Sequence, residues 1–206
     1  MARHLDWQLL TTLSPILAAL PERARKPSRV LGIDQGQLLF ARGDAPRAMH
    51  FVVSGEVRMI RQSRAGGEIV LQRARRGFIA EASLDQQVYH CDALAVAASD
   101  ALAIPRKSFI DALDDETFRK QWMAHLAREL RRVRAQSERL SLRTARERII
   151  HFIEAEGDDG SLALTQSKKD WAAELGLTHE ALYRALSEMQ RGGELLVKSR
   201  LVELTK

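Results

Sequence analysis

Apolar residues between Asp6 and Leu20 recur at helical spacing, broken by Pro15, and predict a short, interrupted N-terminal helix; Pro21 and Pro27 then bracket a basic connector. From Leu38 to about Ile104 the periodicity shortens. Apolar or alternating runs at Leu38–Phe40, Met49–Ile60, Glu68–Leu71, Phe78–Ile79 and Ala93–Ala98 are punctuated by turns at Gly43-Asp44, Ser54-Gly55 and Ala65-Gly66-Gly67. Short strands with glycine turns predict a β-barrel or jelly roll. From Asp114 to about Glu156 the pattern is helical. Met123, Leu126, Leu130, Val133, Ser137 and Leu140 are spaced alternately by three and four residues, which is the seam of a coiled coil. A helix laid on its own barrel is the structural alternative. The seam is narrow, however, and its flanks carry Arg128, Arg131, Arg132 and Arg134, which favours a partner helix and a parallel homodimer. Near Ser141–Thr144 the seam stops, and Ile149, Ile150, Phe152 and Ile153 open a broader apolar face, so a hinge is expected near Leu142.

Composition narrows the class. A chain of 206 residues with 45% hydrophobic and 29% charged positions reads as a soluble protein with room for two small domains. It has no apolar run near the roughly 18 residues that cross a bilayer. Asp6 and polar neighbours interrupt any secretory stretch at the N-terminus, so a cytoplasmic protein without membrane partners is expected. One cysteine, Cys91, excludes an internal disulfide, and with it an iron–sulfur cluster held by this chain's own thiolates. The net charge of +5 is concentrated: residues 119–148 hold ten Arg or Lys against three Glu, or +7, leaving about −2 elsewhere. Such a run is either a solvated helix face or a surface attractive to polyanions.

The C-terminal third carries the sharpest local chemistry. Ser167-Lys168-Lys169-Asp170 reads as a capping box opening a helix to Leu175; Gly176 supplies a turn, Leu177 a buried contact, and Thr178 a second N-cap. The next helix has Leu182, Ala185, Leu186 and Met189 on one face and His179, Glu180, Tyr183, Arg184 and Ser187 on the other. Two helices joined in this way also occur in ordinary bundles. The residue types favour DNA: arginine donates two bonds to guanine O6 and N7, and glutamate accepts from cytosine N4. His179, Glu180, Tyr183 and Arg184 are therefore the candidate base readers. Lys168, Lys169, Thr178, Ser187, Lys198 and Arg200 are the candidate phosphate contacts. The alternative for Glu180 and Arg184 is a surface ion pair one turn apart. After Gly192-Gly193, the run Glu194–Leu204 alternates enough for a β-hairpin wing.

The segment from Leu164-Thr165 through Leu175-Gly176-Leu177-Thr178-His179-Glu180-Ala181-Leu182-Tyr183-Arg184 resembles the helix-turn-helix signature of the Crp-Fnr transcription regulators. Phe51-Val52-Val53-Ser54-Gly55-Glu56-Val57 is similar to a hairpin of their cyclic-nucleotide-binding-like barrel, and the resemblance extends from Gly36 to Ile104 and through the dimer helix. It implies an α+β fold in three parts. These are a β-barrel or jelly-roll sensor domain at 1–113, a dimerisation helix at 114–142 built on Met123, Leu126, Leu130, Val133 and Leu140, and a winged helix-turn-helix DNA-binding domain at 143–206. It also implies a homodimer on a near-palindromic site in double-stranded DNA, RNA polymerase as a further partner, and no enzymatic activity.

The chain departs from the family at the effector site. Members that bind cyclic nucleotides follow a Gly-Glu element with an Arg-Ser or Arg-Thr pair that holds the phosphate. Here the stretch is Phe78-Ile79-Ala80-Glu81-Ala82-Ser83-Leu84 and then Tyr89-His90-Cys91-Asp92-Ala93, without the arginine. A buried phosphate would lack its bidentate partner, and Asp92 would repel it, so cyclic AMP is disfavoured and the effector is unknown. Glu81, Ser83, His90 and Cys91 are the candidate effector-pocket residues. His90 and Cys91 leave open a redox, metal or haem-linked sensor, although neighbours in a strand point to opposite faces. A cupin-type metalloenzyme using His50 and Glu56 is the remote rival; it lacks the ligand count of a catalytic metal, and no metal site is expected.

Overall fold

The computed structural model describes residues 6–62, 68–164 and 166–205. Its internal contacts divide the chain into two units, residues 1–124 and 125–206. The division falls inside one helix, α5 (Glu116–Ser141), so the helix expected to form a separate part is shared between the units. The Ala65-Gly66-Gly67 turn and Thr165 lie outside the described residues.

In the first unit, β1 (Arg29–Ile33), β8 (Ser99–Pro105), β3 (Ala48–Ser54) and β6 (Gly77–Ile79) form one antiparallel sheet in that order. A second contains β2 (Leu38–Phe40), β7 (Asp92–Ala95), β4 (Val57–Gln62) and β5 (Glu68–Ala74). Alternation along β3 sorts its side chains between two cores. Val52 joins Ile33, Phe40, Val57, Met59, Ile79 and Ala95 between the sheets. Met49 and Phe51 face the other way, where they meet α1 (Trp7–Leu13), α2 (Pro15–Ala19), α3 (Glu22–Arg25), α4 (Arg106–Ala112) and the first turns of α5. Edge-to-face rings seal this second core, with centroids 5.0 Å apart for Phe51–Phe78, 5.2 Å for Phe78–Trp122 and 4.8 Å for Phe109–Trp122. The N-terminal helix breaks where Pro15 predicts, and Ser14 caps the second piece by accepting the Ile16 N–H. Gly55 is obligatory: its φ is +78° and a Cβ there would lie 2.4 Å from the Ala98 carbonyl oxygen. Four features differ from the sequence expectation. α3 occupies the supposed connector between Pro21 and Pro27, β1 lies ahead of the first expected strand at Leu38, α4 precedes the long helix, and the Ala93–Ala98 run is strand only as far as Ala95.

The second unit contains the rest of α5, α6 (Ala145–Glu156), β9 (Ser161–Ala163), α7 (Lys168–Glu174), α8 (His179–Arg191), β10 (Leu195–Lys198) and β11 (Leu201–Leu204). β10, β11 and β9 form a small antiparallel sheet in that order; β9 is too short to have been read from periodicity. Ile149, Phe152, Ile153, Trp171, Leu175, Leu182, Leu186 and Val202 form its core. The helical run breaks near the expected hinge: α5 ends at Ser141, and Thr144 starts α6 with a complete capping box to Glu147. The break is held by charge. The Arg139 guanidinium is buried, sits 4.3 Å from the centroid of the Phe152 ring and lies 3.7 Å from the Glu156 carboxylate.

Candidate nucleic-acid interface and effector region

The helix-turn-helix forms as its caps dictate. The Ser167 hydroxyl accepts the Asp170 N–H at 3.1 Å and donates to the Asp170 carboxylate at 2.8 Å, which starts α7. Gly176 takes φ +65° in the turn, and the Thr178 hydroxyl accepts the Ala181 N–H at 3.1 Å to start α8. Leu182, Ala185, Leu186 and Met189 are buried beneath α8, whereas His179, Glu180, Tyr183, Arg184 and Ser187 are exposed along its outer side. On that side the His179 and Tyr183 rings of α8 lie 4.5 Å apart, and α7 reaches them through the Lys168 ammonium, 5.1 Å from the Tyr183 centroid. The backbone N–H of Glu180 and the Thr178 hydroxyl hold the Glu180 carboxyl below the usual range, so it is an anion at neutral pH. Among the described residues no ion pair joins Glu180 to Arg184, and both are exposed.

The candidate phosphate contacts are placed unequally. Lys169 and Ser187 are exposed and Lys168 is half-buried against Tyr183. Lys198 lies on β10, 3.5 Å from Glu203 of the neighbouring strand, and Arg200 is exposed at the hairpin tip. The Thr178 hydroxyl is engaged in capping and in holding Glu180, which gives it a structural task the sequence reading did not separate from phosphate contact.

Arg148, which the sequence did not single out, braces the motif. Its Nε donates to the Leu142 carbonyl at 3.0 Å and its Nη2 to Leu140 at 3.4 Å, both near the end of α5. Its Nη1 reaches the Leu175 and Gly176 carbonyls at 3.2 and 3.1 Å, at the end of α7. One cation thus neutralises the negative ends of two helices and ties the helix break to the recognition turn.

The four candidate effector residues do not converge. Ala80, with φ +65°, leads into a single helical turn at Glu81–Ser83; the Glu81 carboxylate accepts the Gln72 amide at 2.8 Å, and Gln72 in turn accepts the Ala80 N–H at 3.1 Å. Ser83 is buried, His90 is exposed, and Cys91 is buried with its thiol pKa pushed up by desolvation. That places the expected His90–Cys91 pair on opposite sides and keeps the sulfur protonated. Asp92 is committed as well, accepting the Arg42 N–H at 2.7 Å. The crevice beside Ser83, bounded by Pro46, Met49, Ala80, Tyr89 and Arg106, is too tight for a water molecule. Inside the barrel the buried Tyr89 ring stacks on Phe40 at 3.6 Å, and the buried His50 ring lies 5.9 Å from Phe40. Glu56 does not pair with His50 as a metal ligand set would require; its carboxylate takes Arg58 and Arg75. No cluster of three or more His, Cys, Asp or Glu suited to a metal ion occurs among the described residues, and no helix there is long and apolar enough to cross a membrane.

Comparison with known proteins supports these assignments at the level of domain and fold. Residues 31–116 match the cyclic nucleotide-binding domain. Among solved structures, the catabolite activator protein of Thermus thermophilus is 25% identical, with a TM-score of 0.51 over 93% of this chain and 94% of that one. FixK2 of Bradyrhizobium japonicum is 24% identical, with a TM-score of 0.63 over 87% and 93%. A transcriptional regulator of the CRP family, TTHB099, also from Thermus thermophilus, is 21% identical, with a TM-score of 0.57 over 85% and 92%. No curated protein sequence matches. A cyclic nucleotide-binding domain at residues 31–116 and a likeness that runs through the helix-turn-helix give this chain the architecture of the Crp-Fnr transcription regulators.

Proposed function

We propose that the protein is a cytoplasmic, sequence-specific DNA-binding transcription regulator that acts as a homodimer on a near-palindromic site. The observation that carries this reading is the outer side of α8. A helix capped by Thr178 and anchored by buried Leu182, Leu186 and Met189 presents the exposed Glu180 and Arg184 one turn apart. A second copy, joined through the exposed Met123, Leu126, Leu130, Val133 and Leu140, would place the two α8 helices on half-sites about one helical turn apart. His179 and Tyr183 complete the base-reading set; Lys168, Lys169, Ser187, Lys198 and Arg200, with a lesser part for Thr178, meet phosphates. RNA polymerase is the further partner. The missing phosphate arginine and the Tyr89–Phe40 stack inside the barrel favour a regulator that does not respond to cyclic AMP.

The test is selection of a randomised DNA pool by the purified protein at fixed salt, without added nucleotide. Enrichment of a palindrome with G·C pairs in each half is expected. Failure to enrich any sequence, with or without cyclic AMP, would overturn the assignment of α8.

A further inference from the structure

The outer side of α8 is polar except at one position. His179, Glu180, Arg184 and Ser187 carry groups that donate or accept hydrogen bonds, whereas Tyr183 presents mainly an aromatic ring. That ring is 43% exposed, although Leu182, Leu186 and Met189 of the same helix are buried. At about 100° of rotation per residue, Arg184 lies roughly 40° to one side of Glu180 and Tyr183 roughly 60° to the other. The ring therefore stands on the flank of the Glu180 and Arg184 pair, where an adjoining base pair would lie.

Tyr183 is held from two helices. His179, one turn back on α8, sets its ring centroid 4.5 Å away at an interplanar angle of 57°. Lys168, the first residue of α7 after the Ser167 cap, brings its ammonium to 5.1 Å from the Tyr183 centroid. A cation near the ring and a second ring against it restrict the side chain before any ligand arrives, so little ordering is left to do on binding. Major-groove base edges present donors and acceptors, together with one apolar group, the 5-methyl of thymine. The charged and polar side chains of α8 suit the donors and acceptors. An exposed, braced ring finds its match in the methyl, which 5-methylcytosine carries at the same ring position.

We infer that Tyr183 is a specificity-determining residue that packs on the 5-methyl group of a pyrimidine beside the G·C pair met by Glu180 and Arg184. Lys168 is a positioning residue for it, acting through the ring, in addition to the charge it offers a phosphate. The inference rests on the proposed DNA-reading role of α8 and names the base substituent that this helix recognises.

The experiment measures fluorescence anisotropy of the full-length protein, at fixed salt, on labelled duplexes of the palindrome recovered by selection. The duplexes differ only in uracil for thymine, or 5-methylcytosine for cytosine, one symmetric pair of positions at a time. Removing the methyl beside the G·C pair is expected to weaken wild-type binding roughly fourfold per half-site, the effect of one buried methyl-sized group. Where selection leaves cytosine at that position, adding the methyl is expected to strengthen binding by the same factor, which assigns the site to methylated DNA. Tyr183→Phe should keep this discrimination and Tyr183→Ala should abolish it, with circular dichroism confirming that each variant is folded and with affinity for random DNA unchanged. Lys168→Met, which keeps the aliphatic stem and loses the charge, should lower the discrimination to roughly twofold; an unchanged ratio overturns the bracing role. A wild type indifferent to the methyl at every position, or a Tyr183→Ala variant that discriminates as well as wild type, overturns the inference while the DNA-reading role of α8 stands. Selection that enriches no sequence removes both together.

Discussion

Replacing Arg148 with alanine removes a guanidinium that holds two helix ends at once. Two of its bonds, to the Leu142 and Leu175 carbonyls at 3.0 and 3.2 Å, are partly buried; those to Gly176 and Leu140, at 3.1 and 3.4 Å, lie where water can replace them. Hydrogen bonds to a charged group contribute about 1.5–3 kcal/mol each when shielded and far less when exposed. Counting only this pair at the lower end, and discounting it for partial exposure, gives a loss of about 2–3 kcal/mol in the local stability of the second unit. In amide hydrogen exchange read by mass spectrometry, this corresponds to peptides from α7 and its turn exchanging roughly 30- to 150-fold faster. Peptides from the barrel strands serve as the internal reference and should not change. Arg148→Lys should fall between the two, because an ammonium lacks the fork that reaches both helix ends. An Arg148→Ala effect below about threefold on α7 would mean that water substitutes for the cation without cost, and the structural role assigned to it would be wrong.

Three further outcomes are expected. Arg184→Ala should cost about 1–3 kcal/mol on the selected DNA and relax preference at one base pair, while Lys169→Ala should weaken all sequences alike and flatten the salt dependence; equal losses on selected and random DNA for Arg184→Ala would refute its role as a base reader. The buried His50, its pKa lowered to about 4 by desolvation and then by the Arg29 charge, stays neutral in the folded barrel, whereas in the unfolded chain it titrates near 6.5. The unfolded chain alone therefore takes up a proton as pH falls from 6.5 to 4, and stability declines through that window by up to about 3 kcal/mol, with no contribution above it. His50→Phe should flatten that part of a denaturation-versus-pH curve, and an unchanged slope would assign the loss to other groups. Cys91, buried and with a raised thiol pKa, should resist an aromatic disulfide reagent until denaturant is added; rapid labelling of the native protein would contradict its burial.

Some of this architecture is legible from local pattern and some depends on distant segments meeting. The helix-turn-helix was readable because its information is short-range: Ser167 and Thr178 are caps, Gly176 takes the positive φ, and Leu182, Leu186 and Met189 repeat at helical spacing. The long helix α5 was readable for the same reason. Strand β1 was not, because its buried residues, Val30 and Ile33, are three apart and break the alternation that marks a strand. Helix α4 offers about two turns, with Phe109 and Ala112 as its buried positions, too few to establish a period. The ring stack inside the barrel was invisible because Tyr89 and Phe40 are far apart in the chain. Arg148 was hidden likewise, since its partners come from the end of α5, the link that follows it and the turn after α7.

Arg139 gives the junction between α5 and α6 a discrete setting. Its guanidinium has left water for the face of Phe152 and a carboxylate at 3.7 Å, and desolvation lowers its pKa, with Glu156 opposing that shift. Sliding or rotating the end of α5 along α6 would strip this cation of both neighbours while it is still enclosed, and an uncompensated buried charge costs several kcal/mol. Intermediate angles are thereby penalised. The end of α5 behaves as a detent rather than a spring: it holds one seat firmly and leaves it only by carrying Arg139 all the way out to solvent.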